Sequence, residues 1–159
     1  MTRAASPFPR SRSITAFEVD HGGEQLDAFG YRIDYQGRSV VLSGDTTFNE
    51  NLIDHAQGAD LLVHEVTHGM GDGFERANLE RIRRNHTVPE DAGMVFARTA
   101  PKLAVYTHIL LFGDATADDL IPATRPAYDG PLVVGEDLMQ FDIGDDVTIN
   151  QFSQEPGES

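Results

Sequence analysis

The chain has 159 residues, no cysteine, and 26 acidic against 12 basic side chains, for a formal charge of −14. That length suits one domain with a real core, and 40% apolar residues exclude a wholly disordered polymer. The lack of cysteine excludes a disulfide framework, a thiolate zinc site and a thiol nucleophile. No stretch approaches the roughly 18–20 apolar residues of a membrane span. Met1 to Ser13 carries Arg3, Arg10 and Arg12 without an apolar core, so no secretory signal is expected and the cytoplasm is the expected compartment.

In chain order, residues 1–13 read as a disordered leader, 14–152 as a single domain and 153–159 as a disordered tail. Ile14 to Asp20 and Phe29 to Tyr35 have strand character, and Gln36-Gly37 turns the chain into a third strand, Arg38 to Ser43. Asn49 is placed to cap a short helix through Gln57, stopped by Gly58. Ala59 to Val66 reads as an apolar strand, followed by the breaker Gly69-Met70-Gly71-Asp72-Gly73 and an arginine-rich helix from Phe74 to Arg84. Thr87-Val88-Pro89-Glu90 has the form of a capping box, opening a helix to about Thr99. Lys102 to Thr107 is a strand, Thr116 to Arg125 a helix and Pro131 to Gly135 a strand. Leu138 to Ile143 and Val147 to Phe152 form a closing hairpin. The fold class this predicts is α/β, a mixed sheet with flanking helices.

Charge is unevenly placed. Gly113 to Ser159 holds eleven carboxylates and one base, Arg125, which disfavours nucleic acid as a partner because that binding rests on Lys and Arg. The bases gather at Arg76, Arg81, Arg83 and Arg84. They form either a solvated helix face or an anion patch beside a site.

Polar residues fall at strand ends: Asp45, His64 with Glu65, His108, and Glu136 with Asp137. Ligands of open α/β sheets gather at those ends. His64-Glu65-Val66-Thr67-His68 also spells H-E-x-x-H, a zinc-protease string when helical. Strand character before it and glycines after it argue against a helix, and extended residues i and i+4 stand about 13 Å apart. The segment is expected to begin as strand and leave the sheet as a loop, with Glu65 rather than His68 aimed at the site. Taken alone, His21 is an ordinary loop histidine, His55 a surface one, and His68 has no assigned role. His86 is either held by local backbone groups or a proton donor.

Asp20-His21-Gly22, Ala28-Phe29-Gly30-Tyr31-Arg32-Ile33, Ser43-Gly44-Asp45-Thr46, His64-Glu65-Val66-Thr67, His86-Thr87 and Tyr106-Thr107-His108 occur in that order. The series resembles metallo-β-lactamase-fold hydrolases of the ribonuclease Z and arylsulfatase-like branch, over about Ile14 to Ile143. The resemblance implies that Asp45 bridges two metal ions, usually zinc, with manganese or iron as substitutes. It likewise implies that His21 and His108 ligate one metal each, and that Glu65 and His86 handle the leaving-group proton. Carboxylate and imidazole suit those ions.

The family's His-x-His-x-Asp-His motif is absent from the 159 residues. The chain is therefore expected to form one half, the carboxy-terminal one, of the αββα fold. A lone half would expose residues such as Val40, Leu42, Leu62 or Val105, so a dimer or a complementing amino-terminal half is expected as partner. The function implied is metal-dependent hydrolysis of phosphodiester, sulfate or carboxylate esters, with a small anionic ester favoured over RNA by the charge. The alternative is a catalytically silent fragment or subunit with a role in assembly or binding.

Overall fold

A computed structural model describes residues 12–23, 27–69 and 76–150. Strand β1 (Arg12–Val19) runs antiparallel to β2 (Ala28–Tyr35), which turns through Gln36 and Gly37, both at positive φ, into antiparallel β3 (Arg38–Leu42). Beyond β3 the chain changes to parallel crossovers. Helix α1 (Glu50–Ala56) leads to β4 (Leu61–His68); α2 (Arg76–Arg83) and α3 (Pro89–Thr99) lead to β5 (Leu103–Leu111). A 3-10 turn (Ala117–Asp119) and α4 (Leu120–Thr124) lead to β6 (Leu132–Val134). The six-stranded sheet follows sequence order, β1-β2-β3-β4-β5-β6, the mixed α/β architecture expected.

The local causes are legible. Asn49 caps α1 by accepting from the Leu52 amide at 3.0 Å. α3 ends where Ala100 turns left-handed at φ 47 and its amide bonds to the Phe96 carbonyl. One face of the sheet packs Val41, Leu62, Val66, Ala104 and Tyr106 against Leu52, Ile53, Val95, Phe96 and Leu120 of the helices. This is the main core.

On the opposite face Leu61, Leu103 and Val105 are covered by Phe141, Ile143 and Val147. Those three come from a separate hairpin, β7 (Gln140–Ile143) with β8 (Val147–Asn150). Of the residues expected to lie bare, Leu62 and Val105 are buried, by the helices and the hairpin respectively. Val40 is half-buried, while Leu42 is 38% exposed and Ile14, on β1, 72%. The hairpin reaches the start of β3, where Arg38 pairs with Asp145 at 2.7 Å, so the open apolar area lies toward β1 and the far end of β3.

Three expectations need correction. Arg12 and Ser13 belong to β1, paired with Tyr35 and Asp34, and so are not part of a disordered leader; residues 1–11, 24–26, 70–75 and 151–159 lie outside those described. The H-E-x-x-H string does not leave the sheet as a loop. It stays in β4 through His68, which pairs with Leu111, because β5 runs on past His108 beside it. Thr87 does not form the capping box: Val88 is the N-cap residue, without a side-chain bond, since the Thr87 hydroxyl and amide are committed elsewhere. Among the described residues no helix is long and apolar enough to cross a membrane.

Candidate functional site at the sheet edge

The carboxyl ends of β3, β4 and β5 share one edge, and the loop after β1 and the α2–α3 connection close over it. Asp45 enters on the loop after β3. Gly44 has φ +64, and a Cβ there would collide with the Phe29 carbonyl oxygen, so only glycine allows so tight an exit. Ser43 fixes the loop at both ends: its hydroxyl donates to the Gly44 carbonyl at 2.6 Å and accepts from the Glu65 amide at 3.1 Å. The Thr47 amide ties the same loop to the Asp20 carbonyl at 2.8 Å, which brings His21 alongside.

Glu65 is 1% exposed. Its Oε1 accepts from the Thr87 amide at 2.8 Å and the Thr46 amide at 3.4 Å, while the Thr87 hydroxyl donates to the Thr46 carbonyl at 2.6 Å. The expected carboxylate-to-amide bond thus exists, but Glu65 makes it in place of Glu90. Glu65 Oε2 faces His86 Nδ1 at 3.4 Å, and both atoms are buried without a hydrogen-bond partner. Burial pushes the Glu65 carboxyl up to about 8, helped by the Asp45 charge and opposed by the two amides. Burial also lowers the pKa of His86, as do its neighbours His21 and His108, against the pull of Asp45.

His108 arrives by a different device. Glu65 pairs with Thr107 but Val66 with Ile109, so His108 is an extra residue bulged out of β5, with φ 41. Its Nε2 lies 3.4 Å from Asp45 Oδ2. His86 sits between the other two histidines, with ring centroids 5.0 Å from His21 and 5.6 Å from His108. The Asn85 carbonyl holds His21 Nδ1 at 2.7 Å, leaving Nε2 as that ring's free nitrogen. A backbone carbonyl on one imidazole nitrogen is the usual support for a metal on the other.

The structure therefore gathers His21, Asp45, Glu65, His86 and His108 at one edge. Glu136 and Asp137 remain exposed after β6, and His55 instead stacks on Phe17 at 4.4 Å. Among the described residues, no group of three or more His, Asp or Glu side chains is arranged to hold a metal ion. The donor types (two imidazoles and a carboxylate) fit zinc, as does the backbone support of His21. Sequence reasoning missed the framing residues Ser43, Thr46, Thr87 and Asn85, most of which act through backbone atoms that leave no sequence signal. It also missed a cleft of about 340 Å³ beside His86, lined by Arg83, Val88, Glu90 and Asp91.

Comparison with known proteins gives the family and the fold. The chain is 33% identical over 129 residues to Ribonuclease Z of Haloarcula marismortui, covering 76% of this chain and 40% of that one. It is 39% identical over 135 residues to Ribonuclease Z of Mycobacterium avium, covering 82% and 47%. The chain thus spans less than half the length of these relatives. Two solved structures share the fold. The metallo-beta-lactamase fold protein YhfI from Bacillus subtilis has a TM-score of 0.62 at 21% identity, over 77% of this chain and 46% of that one. The short form of human tRNase Z has a TM-score of 0.57 at 20% identity, over 89% and 44%. Residues 4–109 match the family described as the Beta-lactamase superfamily domain, and to that superfamily this chain belongs.

Proposed function

We propose that the chain supplies the acid–base pair and part of the metal site of a metal-dependent hydrolase acting on phosphodiester, sulfate or carboxylate esters. The observation that carries this reading is the buried Glu65–His86 pair standing against Asp45 and His108. His21, Asp45 and His108 are the residues that would hold zinc, with manganese or iron as substitutes. Zinc bound there supplies Lewis acidity and an activated water. His86, poised between the two flanking histidines, gives the proton on its Nε2 to the departing oxygen as the ester bond breaks. Glu65, neutral below about pH 8, replaces it by passing the proton on Oε2 to His86 Nδ1. The 3.4 Å gap and the unpartnered state of both atoms suit that transfer.

Relatives named Ribonuclease Z favour a phosphodiester among the three esters. The net charge of −14 favours a small anionic substrate over RNA, with no membrane partner. The sheet face left open at Ile14 and Leu42 supports a covering partner, either a second copy or a complementing amino-terminal half. A second reading is a silent subunit or fragment in the cytoplasm with an assembly role.

Zinc content and hydrolysis of bis-p-nitrophenyl phosphate separate the two. The chain alone is expected to hydrolyse the ester weakly or not at all, and the amino-terminal half of a relative supplied in trans should raise the rate. Failure to bind zinc in either state would leave the silent reading standing.

A further inference from the structure

His64 opens the H-E-x-x-H string yet takes no part in the proton relay above. It is the only one of the six histidines with no exposed surface. Its ring stands edge-on to Phe96, centroids 5.7 Å apart, on the helix side of the sheet. Nε2 is buried there with no partner. An unsatisfied polar atom in such a place is costly, and a leucine would fill the space without that cost. What the imidazole offers in exchange is its other nitrogen, since Nδ1 donates to the carbonyl of the next residue, Glu65, at 2.6 Å.

The position of that bond gives it meaning. The β4–β5 register breaks between Glu65 and Val66, where His108 is squeezed out of the ladder into a left-handed conformation. A bulge leaves backbone groups short of their regular partners, and a left-handed histidine persists only where its surroundings impose it. The Glu65 peptide is also the hinge that sends the carboxylate toward the Thr46 and Thr87 amides.

We propose that His64 is a positioning residue whose Nδ1–H clamps the Glu65 carbonyl at the bulge. The clamp holds Glu65 against His86 and keeps His108 ejected toward Asp45. The site's geometry on this account has an anchor on the far side of the sheet, out of reach of substrate. The proposal rests on the hydrolase reading only for the use to which that geometry is put.

Nitrogen-15 NMR of the histidine rings in the 159-residue chain tests the clamp without zinc or substrate. His64 should appear as the Nδ1–H tautomer; an Nε2–H tautomer would overturn the proposal. His64→Leu fills the space but removes the donor, whereas His64→Asn keeps an N–H near the same place. The leucine variant should move the ring resonances of His86 and His108 and the amides of Val66 and Ile109, leaving α1 unmoved, and the asparagine variant should restore them. Unmoved rings in a folded leucine variant would show that His64 merely fills the core. Should the leucine variant not fold, the asparagine variant decides: parent-like His108 resonances support the clamp and displaced ones refute it. An inert chain that passes these tests would count against the hydrolase reading alone.

Discussion

His86 Nδ1 and Glu65 Oε2 face each other at 3.4 Å inside the protein, and neither has a hydrogen-bond partner. A pair of groups so placed must hold a proton in common or stand in unrelieved desolvation. In the complemented enzyme, His86→Ala should lower turnover by about 10²–10⁴-fold with zinc content unchanged. The loss should shrink for p-nitrophenyl esters, whose leaving group needs no proton. A destabilised variant with undiminished turnover per folded molecule would remove His86 from the chemistry.

Asp45 should behave otherwise. It touches His108 at 3.4 Å and is about half exposed, so Asp45→Ala should leave melting nearly unchanged. Zinc affinity should fall by more than the roughly 10–100-fold seen for outer supporting groups. Zinc titration followed by metal analysis of the dialysed protein is the measurement, and parent-like zinc retention would strip Asp45 of its proposed role.

Two adjacent residues should pull stability in opposite directions with pH. Burial holds the folded Glu65 carboxyl at about 8 against its ordinary 4.5. Folded chains keep a proton that unfolded ones release, so stability falls as pH rises from about 4.5 to about 8. Burial drives His64 down to about 4 from 6.5, so its contribution is intact above pH 6.5 and is lost as pH falls toward 4. Above pH 6.5 only the Glu65 slope remains. Each tenfold change in proton affinity is worth about 1.4 kcal/mol. Melting of the metal-free parent should therefore drop by several degrees between pH 6.5 and 8, while Glu65→Gln stays level. Parallel curves for the two proteins would show that the folded chain carries Glu65 ionised.

Ala100 ends α3 at φ 47 and ψ 56, a conformation that costs any residue with a Cβ. The left-handed cost of a Cβ is about 1–2 kcal/mol, and the added chain entropy of glycine costs about 0.4–1 kcal/mol. Ala100→Gly should therefore stabilise the domain slightly, read as a higher midpoint in urea with unchanged slope. A lower midpoint would mean that the lost chain entropy outweighs the relieved crowding.

Much of this was legible in the sequence because the signals are local. Alternating apolar residues, Gln36-Gly37, Asn49 and Pro89 each act within a few positions, and the elements they mark stand within a few residues of expectation. Asp45 follows the end of β3 as the alternation indicated, but Glu65 and His108 lie within β4 and β5, which run on to His68 and Leu111. What escaped depends on partners far along the chain. The bulge at His108 exists only because β4 lies beside it. Thr87 and Glu90 spell a capping box, yet Glu65, 22 residues earlier, takes the Thr87 amide first. Val105 looked bare because its cover, Phe141 with Ile143, comes from a hairpin whose docking face no periodicity reveals.

The order of the sheet has a consequence for how the site comes into being. His21, Asp45, Glu65, His86 and His108 are spread across most of the described chain, each delivered by its own loop or strand. Nearly every contact among them closes a long loop, and that entropy must be met before the contacts give anything back. The edge should consequently mature late in folding, after β3, β4 and β5 have aligned, and no excised peptide should reproduce any part of it. Its assembly would then serve as a clock for the whole domain: a probe on His86 would report completion of the fold rather than a local event.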